Sequence, residues 1–353
     1  MSGDGMRATL GISLWGGQVR GAAANAQTMM RPAVRPDLLP ARASIRGARD
    51  LFVAAYPRFA DQCRAFDEPG IAVVAVDEAT GIPAGIVKLC ARVQRPVAAI
   101  IGRHDRCDLF LAHREELSLR QLVVVLDPVT TWARGASNVR YRVLDLRTGT
   151  PIVDEDGKPM RGLVADGPAI FRCAGYVMFV LPLGDPTDWP ASGSDAWQML
   201  PERVYLDQLE NCPQGSLPKL RMPRPNARET YITRTGGPRD TGMRLAQGDA
   251  AGMLELHTPT RQLTLTIGHQ ALADGILLGR YSRCDATEAA HEDHSLSRVH
   301  ALLMQVDDRL LLVDTASTNG TFERGAPARV VVFDGTTELR LGKRTFVRWR
   351  WLG

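Results

Sequence analysis

Short apolar runs separated by turns rich in Gly, Pro and Asp recur along most of the chain. Some runs alternate between apolar and polar residues and others are apolar throughout, and both patterns are typical of β-strands. In the first half the predicted strands are Ile71–Val76, Ile86–Val93, Ala98–Ile101, Leu122–Leu126, Arg140–Leu144 and Tyr176–Leu183. In the second half they are Met253–His257, Gln262–Ile267, Ile276–Gly279, Ala301–Val306, Leu310–Val313, Ala328–Val332 and Phe346–Leu352.

Helical periodicity is rare and is confined to two segments, near Arg46–Phe59 and near Glu202–Glu210. Many short strands at regular spacing are typical of β-sandwiches, so the chain is predicted to be all-β. Residues 186–245 are dense in Pro, Gly and polar residues, which predicts an extended, mobile linker. The predicted order is a flexible segment with a short helix (1–64), a sandwich (65–185), the linker (186–245) and a second sandwich (246–353).

A diverged internal repeat relates the two predicted sandwiches. Residues 102–108 read GRHDRCD and residues 279–285 read GRYSRCD, an offset of 279 − 102 = 177. Downstream, ELSLRQLVVVLD (116–127) is similar to HSLSRVHALLMQVD (294–307), and YRVLDLRTGTPI (141–152) is similar to LLLVDTASTNGTF (310–322). Three similar blocks in the same order indicate two copies of one fold.

Composition and charge narrow the classes of function. The 353 residues are 44% hydrophobic and 23% charged, which is ordinary for a globular protein. The net charge of +4 arises from 43 basic and 39 acidic residues, a near balance that does not predict nucleic-acid binding. No apolar run reaches the roughly 18 residues of a membrane span, and the N-terminal residues lack a secretory pattern. The chain is therefore predicted to be cytoplasmic.

Motifs for catalysis, cofactors and metals are absent from the sequence. It contains no P-loop, GxSxG, HExxH or kinase signature, so the chain is predicted not to be an enzyme. The six cysteines are scattered without a CxxC pair, which favours reduced thiols. Cys284, His291, His294 and His300 match no common zinc spacing. Neither a cofactor nor a metal is predicted.

The second predicted sandwich carries three ordered motif blocks. They are Gly279-Arg280, the block Ser297-Arg298-Val299-His300, and Ser-Thr-Asn-Gly-Thr at 317–321. Together they resemble the forkhead-associated (FHA) domain family, over about 246–353. The resemblance implies an eleven-stranded β-sandwich that binds phosphothreonine peptides through loops at one end.

The same resemblance implies a role for each motif residue. A phosphothreonine presents about two negative charges and three acceptor oxygens, which a guanidinium can bind with paired donors. Arg280 and Ser297 would contact the phosphate, and Arg298 would add a second cation. The implied peptide contacts are Arg280, Ser297, Arg298, Thr318 and Asn319. The residues implied to support the loops are Gly279, His300 and Gly320.

The first predicted sandwich keeps only part of this pattern. It retains Gly102, Arg103 and Ser118, but Ser-Leu-Arg-Gln (118–121) and Arg-Thr-Gly-Thr-Pro (147–151) replace the later blocks. Two interpretations stay open. One is a weak second phosphopeptide site on Arg103, Ser118 and Thr148. The other, favoured by the missing Asn and Arg, is a copy that serves as a protein-interaction surface. Residues Asp154–Gly167 are predicted to be an exposed polar loop.

The leading functional prediction is a phosphothreonine-dependent adaptor in Ser/Thr kinase signalling, whose partner is a phosphothreonine-containing protein. A second possibility is a docking subunit of a larger assembly, in which the sandwiches bind partners without phosphate. In a third possibility the site binds a phosphorylated threonine of the chain itself. The candidates are Thr28, Thr230, Thr233 and Thr235. Acidic residues after Tyr281, among them Asp285 and Glu292, predict that a basic residue is tolerated in the ligand.

Overall fold

The computed structural model describes residues 46–129, 139–207, 229–238, 245–246, 249–287, 292–333 and 337–352. Strands dominate these residues, so the all-β prediction is confirmed. The α-helices are short: α1 Ala48–Ala55, α2 Ala60–Arg64, α3 Gly193–Met199 and α4 His269–Asp274. Two 3-10 turns are at Tyr56–Arg58 and Pro186–Asp188. None of the helices in this part of the chain is long and apolar enough to cross a membrane.

The first sandwich is made of β1 to β13. Their bounds are β1 Gly70–Asp77, β2 Pro83–Cys90, β3 Val97–Gly102, β4 Leu109–Phe110, β5 Leu122–Leu126, β6 Tyr141–Asp145, β7 Ile152–Asp154, β8 Pro159–Met160, β9 Gly162–Ala165, β10 Ala169–Cys173, β11 Tyr176–Leu183, β12 Glu202–Asp207 and β13 Glu229–Thr235. Sheet I has six strands in the order β2-β1-β11-β10-β7-β8. Sheet II has seven, in the order β12-β13-β9-β6-β5-β3-β4.

The second sandwich is made of β14 to β23. Their bounds are β14 Ala250–His257, β15 Gln262–Gly268, β16 Ile276–Leu278, β17 Ala301–Val306, β18 Arg309–Asp314, β19 Thr321–Glu323, β20 Ala326–Pro327, β21 Val330–Phe333, β22 Glu338–Leu341 and β23 Thr345–Trp351. Sheet III has four strands, β16-β17-β18-β21, and sheet IV has six, β15-β14-β23-β22-β19-β20. The described residues thus hold ten strands of this sandwich, against the eleven that the family resemblance implied.

Alternation along single strands shows how the layers stack. In β5, Leu122, Val124 and Leu126 lie in the core between sheets I and II, whereas Val123 and Val125 face the second sandwich. Because successive side chains of a strand point to opposite faces, both faces of sheet II are buried. Sheet III is buried in the same way, between sheets II and IV.

The two sandwiches share an apolar core of their own, here called the interdomain core. From the first sandwich it contains Ala98, Ile100, Cys107, Val123, Val125, Leu144 and Leu146. From the second it contains Leu277, Cys284, Val299, Leu302, Met304, Val306, Leu311, Val313 and Ala316. Burial of this much apolar surface fixes how sheets II and III pack on one another. The buried Arg147–Asp285 ion pair, with an N–O distance of 2.7 Å, lies at one edge.

The predicted linker is wrong over the residues that the structure describes. Residues 186–207 and 229–235 fold onto the first sandwich, since β12 pairs in parallel with β13, and β13 pairs with β9. The helix predicted near Glu202–Glu210 is strand β12. The loop predicted at Asp154–Gly167 contains β8 and β9, and every residue of β9 is buried.

Residues 46–64, the part of the N-terminal segment for which a short helix was predicted, are folded. Helix α1 forms where it was predicted, and it packs with α2 on the outer face of sheet I. Aromatic contacts hold it there, because the Phe52 ring lies 5.4 Å from Phe179 and 5.4 Å from Trp197 of α3 (centroid distances). Aromatic pairs at this separation add to the stabilisation from burial alone.

The three linker threonines that were candidates for phosphorylation and binding to the chain's own site are not accessible to a kinase in the folded protein. Thr230 is only 3% exposed, and Thr233 and Thr235 lie in β13 and pair with Val164 and Gly162 of β9. A kinase would have to unpair this strand to reach them. Thr28 lies outside the described residues. The five cysteines within the described part of the chain are free thiols.

Candidate functional site

The three motif blocks of the second sandwich meet at one end of sheet III. Leu278, the last residue of β16, pairs with Ala301, the first residue of β17. Ala301 also pairs with Asp314, the last residue of β18. The segments that leave these three strand ends, 279–280, 297–300 and 315–320, therefore lie side by side. The last of these is called the 315–320 loop below.

Gly279 allows the first two segments to touch. A Cβ atom at this position would lie 2.4 Å from the carbonyl oxygen of Arg298, closer than any side chain tolerates. The close approach permits two backbone hydrogen bonds, from Arg280 N to Ser297 O (3.3 Å) and from Tyr281 N to Arg298 O (2.9 Å). Glycine is thus required for the backbone contact that sets Arg280 beside Ser297.

The Arg280 side chain is restrained but keeps donors available. Its Nε donates to the carbonyl oxygen of Leu296 at 2.7 Å, and the residue is half-buried. This bond orients the guanidinium without using its two terminal NH2 groups. Those groups can still donate in parallel to the oxygens of an anion.

Two hydroxyls stand next to each other at the mouth of the site. Ser297 is 6% exposed, and its Oγ accepts a hydrogen bond from the backbone N of Thr318 at 2.8 Å. The Thr318 hydroxyl lies 3.4 Å from the same Oγ, and Thr318 is exposed. The Ser297 proton therefore has only a long internal contact and can turn towards a ligand oxygen.

His300 lies beneath these hydroxyls. It is fully buried; its Nδ1 accepts from Ser297 N at 3.1 Å, and its Nε2 lies 3.2 Å from the carbonyl oxygen of Gly320. These partners require a neutral ring with the proton on Nε2, which then donates to Gly320. Burial lowers the pKa of His300, against the opposing effect of Asp314, so the neutral form is favoured. The ring ties two site segments together.

Asp314 is a site residue that the sequence analysis missed. Its carboxylate accepts from Ser317 N (2.8 Å), from Ser317 Oγ (2.6 Å) and from Thr321 Oγ1 (2.8 Å). These bonds hold the 315–320 loop in its turn, in which Ala316 has a φ of +60° and Gly320 a φ of +78°. The signal was present, because Asp145 ends the corresponding strand of the first repeat.

Arg298 and Asn319 complete the predicted set. Arg298 is exposed, and its side chain makes no hydrogen bond or ion pair with the residues that the structure describes. Asn319 donates from Nδ2 to the carbonyl oxygen of Ser295 at 2.7 Å, so it braces the neighbouring loop. Its amide oxygen remains able to accept from a ligand backbone. The site thus combines two guanidinium groups with two hydroxyls, a set of donors suited to an anion.

The acidic residues proposed to meet a basic ligand group are not both available. Asp285 has a fully buried side chain and pairs with Arg147 of the first sandwich, so the prediction is wrong for it. Glu292 is exposed, but it lies 3.1 Å from Arg261. The ion pair leaves little net negative charge at this position.

The first sandwich repeats the supporting contacts of the second. Gln121 takes the place of His300: its Oε1 accepts from Ser118 N at 2.9 Å, and its Nε2 donates to Asp145 at 3.1 Å. Arg103 donates from Nε to the carbonyl oxygen of Leu117 at 3.1 Å, the counterpart of the Arg280 contact. A Cβ at Gly102 would lie 2.4 Å from a carbonyl oxygen, as at Gly279.

The ligand-facing positions of the first sandwich differ. Leu119 stands where the second sandwich has the exposed cation Arg298. The Thr148 hydroxyl donates to Asp145 at 2.6 Å, which is the bond that Ser317 makes to Asp314. Thr148 therefore matches the loop-bracing serine and not Thr318. The structure brings Arg103 and Ser118 together but gives Thr148 a different role from the one predicted.

Comparison with known proteins gives one family match. Residues 276–342 match the family model described as the FHA domain. No curated protein matches the chain.

Solved FHA domains are among the similar structures. One, from the CT664 protein of Chlamydia trachomatis, is 17% identical and covers 30% of this chain and all (100%) of its own, with a TM-score of 0.26. The FHA-1 domain of Mycobacterium tuberculosis Rv1747 is 21% identical, covers 29% of this chain and 99% of its own, and has a TM-score of 0.23. A third, from work on phosphothreonine-dependent FHA interactions, is 23% identical, with 29% and 98% coverage and a TM-score of 0.23.

Proposed function

We propose, on the premise that residues 276–342 form an FHA domain, that the chain is a phosphothreonine-dependent interaction protein. The observation that carries the proposal is the meeting of Arg280, Ser297 and Thr318 at one end of sheet III. A restrained guanidinium and two adjacent hydroxyls offer charged and neutral donors to the three oxygens of a phosphate.

The expected affinity suits reversible signalling. Charge-assisted hydrogen bonds contribute about 1.5–3 kcal/mol each, and a few of them, after the cost of association, reach roughly −8 kcal/mol, a micromolar dissociation constant. The hydrogen-bonded frame of His300 and Asp314 preorganises the loops before the ligand arrives. Recognition therefore requires little reordering of the protein.

We further propose that the first sandwich is an interaction block that does not bind phosphate. Leu119 replaces a cation there, and the Thr148 hydroxyl is engaged with Asp145. The protein would act as an adaptor, without catalysis, in the cytoplasm, and its partner would be the phosphorylated product of a Ser/Thr kinase.

Calorimetry with the full chain and a library of phosphothreonine peptides tests this function. The substitution Arg280→Ala should weaken binding at least about a hundredfold, the equivalent of two charge-assisted bonds. Arg103→Ala is the matched control, since Arg103 makes the same contact in the first sandwich, and it should leave the affinity unchanged.

Each other outcome has a definite meaning. Unchanged affinity in Arg280→Ala would overturn the phosphothreonine site. A loss of binding in Arg103→Ala would instead show that the first sandwich binds phosphate. Equal binding of phosphorylated and phosphatase-treated partners would favour the phosphate-independent docking subunit.

A further inference from the structure

The first sandwich reaches into the site of the second. Its 103–108 loop, which connects β3 to β4, carries Arg106, whose Nη1 donates to the carbonyl oxygen of Thr318 at 2.6 Å and approaches that of Ser317 at 3.4 Å. Both Arg106 and Thr318 are exposed. A guanidinium from one domain thus touches the residue of the other domain that offers its hydroxyl to the phosphate.

A second arginine of the first sandwich supports the same loop from inside. Arg120 is 6% exposed, and its Nε and Nη2 donate to the carbonyl oxygen of Ala316 at 3.2 and 2.7 Å. Its partner in these bonds is a carbonyl and not a carboxylate. Burial lowers the pKa of Arg120, and the nearby cations Arg298 and Arg106 lower it further, against the effects of Cys107 and Asp314.

The 315–320 loop is therefore surrounded by guanidinium groups from both domains. Arg280 and Arg298 come from the second sandwich, and Arg106 and Arg120 come from the first. Beneath the loop, the Asp314 carboxylate accepts hydrogen bonds from Ser317 and Thr321 and lies 3.5 Å from a further guanidinium, that of Arg329. Positive charge in excess of what one phosphate requires is thus concentrated at this end of the molecule.

The corresponding place in the first sandwich is built differently. Arg283 is the repeat counterpart of Arg106, and it donates to the carbonyl oxygen of Arg147 at 3.1 Å. There, however, Arg147 itself forms the buried pair with Asp285. Ala316 stands at the position of Arg147 in the second sandwich, and the two share a positive φ. On that side of the interface a carboxylate neutralises Arg147, whereas on the other side neither Arg106 nor Arg120 forms an ion pair with a carboxylate of the described residues.

We propose that the phosphopeptide site is shared between the two sandwiches, and that Arg106 binds a second anionic group of the ligand, a carboxylate or a second phosphate near the phosphothreonine. This inference rests on the proposed function of the second sandwich. The contacts of Arg106 to the 315–320 loop use Nη1, so Nε and Nη2 are left to donate. An extended peptide advances about 3.3 Å per residue, so a side chain two or three positions from the phosphothreonine reaches this guanidinium.

Binding of three related peptides to the full chain tests the proposal. All three peptides share a central phosphothreonine. Its flanking residues are neutral in the first peptide, glutamates in the second and include another phosphothreonine in the third. At low ionic strength the protein should bind the two anionic peptides about fivefold more tightly than the neutral one, as expected for one exposed ion pair. Arg106→Gln should abolish this preference, and Arg106→Glu should reverse it, so that the neutral peptide binds more tightly than the two anionic ones.

Arg309→Gln is the matched control. Arg309 also donates from Nη1 to a carbonyl oxygen across the interface, that of Gln94 at 2.9 Å. Arg309 is the first residue of β18 and Asp314, at the site, is the last, so about 16 Å of strand separate the two. This variant loses an interdomain bond of the same kind and should keep the preference for anionic peptides.

The remaining outcomes separate the two claims. If Arg106→Gln keeps the preference, or weakens all three peptides equally, Arg106 only braces the 315–320 loop and the proposal is overturned. A preference for glutamate alone or for phosphate alone identifies the second anion. If the wild-type chain binds none of the peptides, the proposed function itself fails and takes this inference with it.

Discussion

Replacing His300 by Gln should leave the second sandwich folded and reduce the pH dependence of its stability. The first sandwich shows that the change is compatible with the fold, because Gln121 accepts from Ser118 N at 2.9 Å just as His300 accepts from Ser297 N at 3.1 Å. Gln can also donate where Nε2 of His300 donates. The substitution therefore keeps the hydrogen bonds and removes the titrating group.

The magnitude follows from the burial of His300. Its pKa is lowered in the folded protein, chiefly by burial, whereas an unfolded chain has a His pKa near 6.5. Above about pH 6.5 both states are neutral and the ring adds no pH dependence. Below it, the unfolded state binds a proton that the folded state does not, so the free energy of unfolding falls by up to about 1.4 kcal/mol per pH unit until the folded pKa is reached.

Urea unfolding at pH 7.5 and pH 5.5, followed by tryptophan fluorescence, measures this difference. Between these two pH values the wild-type chain should lose about 1 kcal/mol more stability than His300→Gln. The control is His294→Gln at an exposed position, which should behave as the wild type does. Equal losses in wild type and His300→Gln would refute the account of a buried neutral imidazole. Free protein is used because a phosphate ligand itself titrates near pH 6.

Two further substitutions probe the interface and the site backbone. Arg147→Ala removes the cation of the buried pair with Asp285 and should lower the free energy of unfolding, measured in urea, by about 3 kcal/mol. The control Arg350→Ala breaks an exposed ion pair and should lower it by under about 1 kcal/mol. Similar losses in the two variants would contradict a stabilising role of the buried pair. Gly279→Ala places a Cβ 2.4 Å from the carbonyl oxygen of Arg298 and should weaken phosphopeptide binding in calorimetry at least about tenfold. Wild-type affinity would mean that the close approach is dispensable.

Strands with long apolar runs were the predictable part of the fold. Tyr176–Leu183 and Ala301–Val306 coincide with β11 and β17, because a buried strand needs an apolar residue at nearly every position. The four residues of β9 are too few to show a period between their polar neighbours. Strand β12 is defined by its parallel partner β13, a pairing across a long stretch of chain that local patterning does not encode.

The interdomain core was not predicted, although the sequence carried a signal for it. Runs such as LVVVL in β5 and LLLV in β18 are apolar on both faces. An antiparallel sheet with one face in water alternates apolar and polar residues, so an unbroken run indicates a second covered face. Which element covers that face is a tertiary property and does not follow from either strand alone.

Some residues of the site could likewise be predicted from the sequence and others could not. The motif blocks predicted Arg280, Ser297 and Thr318 because their spacing is local to one domain. Asp314 was missed because an acidic residue at the end of a strand is also typical of a turn. The role of Arg106 could not be predicted from the sequence, because it depends on the packing of sheet II against sheet III and no motif spans the two domains.

The interdomain core also bears on the colloidal behaviour of the protein. A fragment cut at residues 246–353 would present Leu302, Leu311 and Val313, which are at most 1% exposed in the complete chain, to water on one continuous sheet face. Large exposed apolar patches promote self-association and precipitation. The second sandwich thus depends on the first sandwich to keep this sheet face out of water.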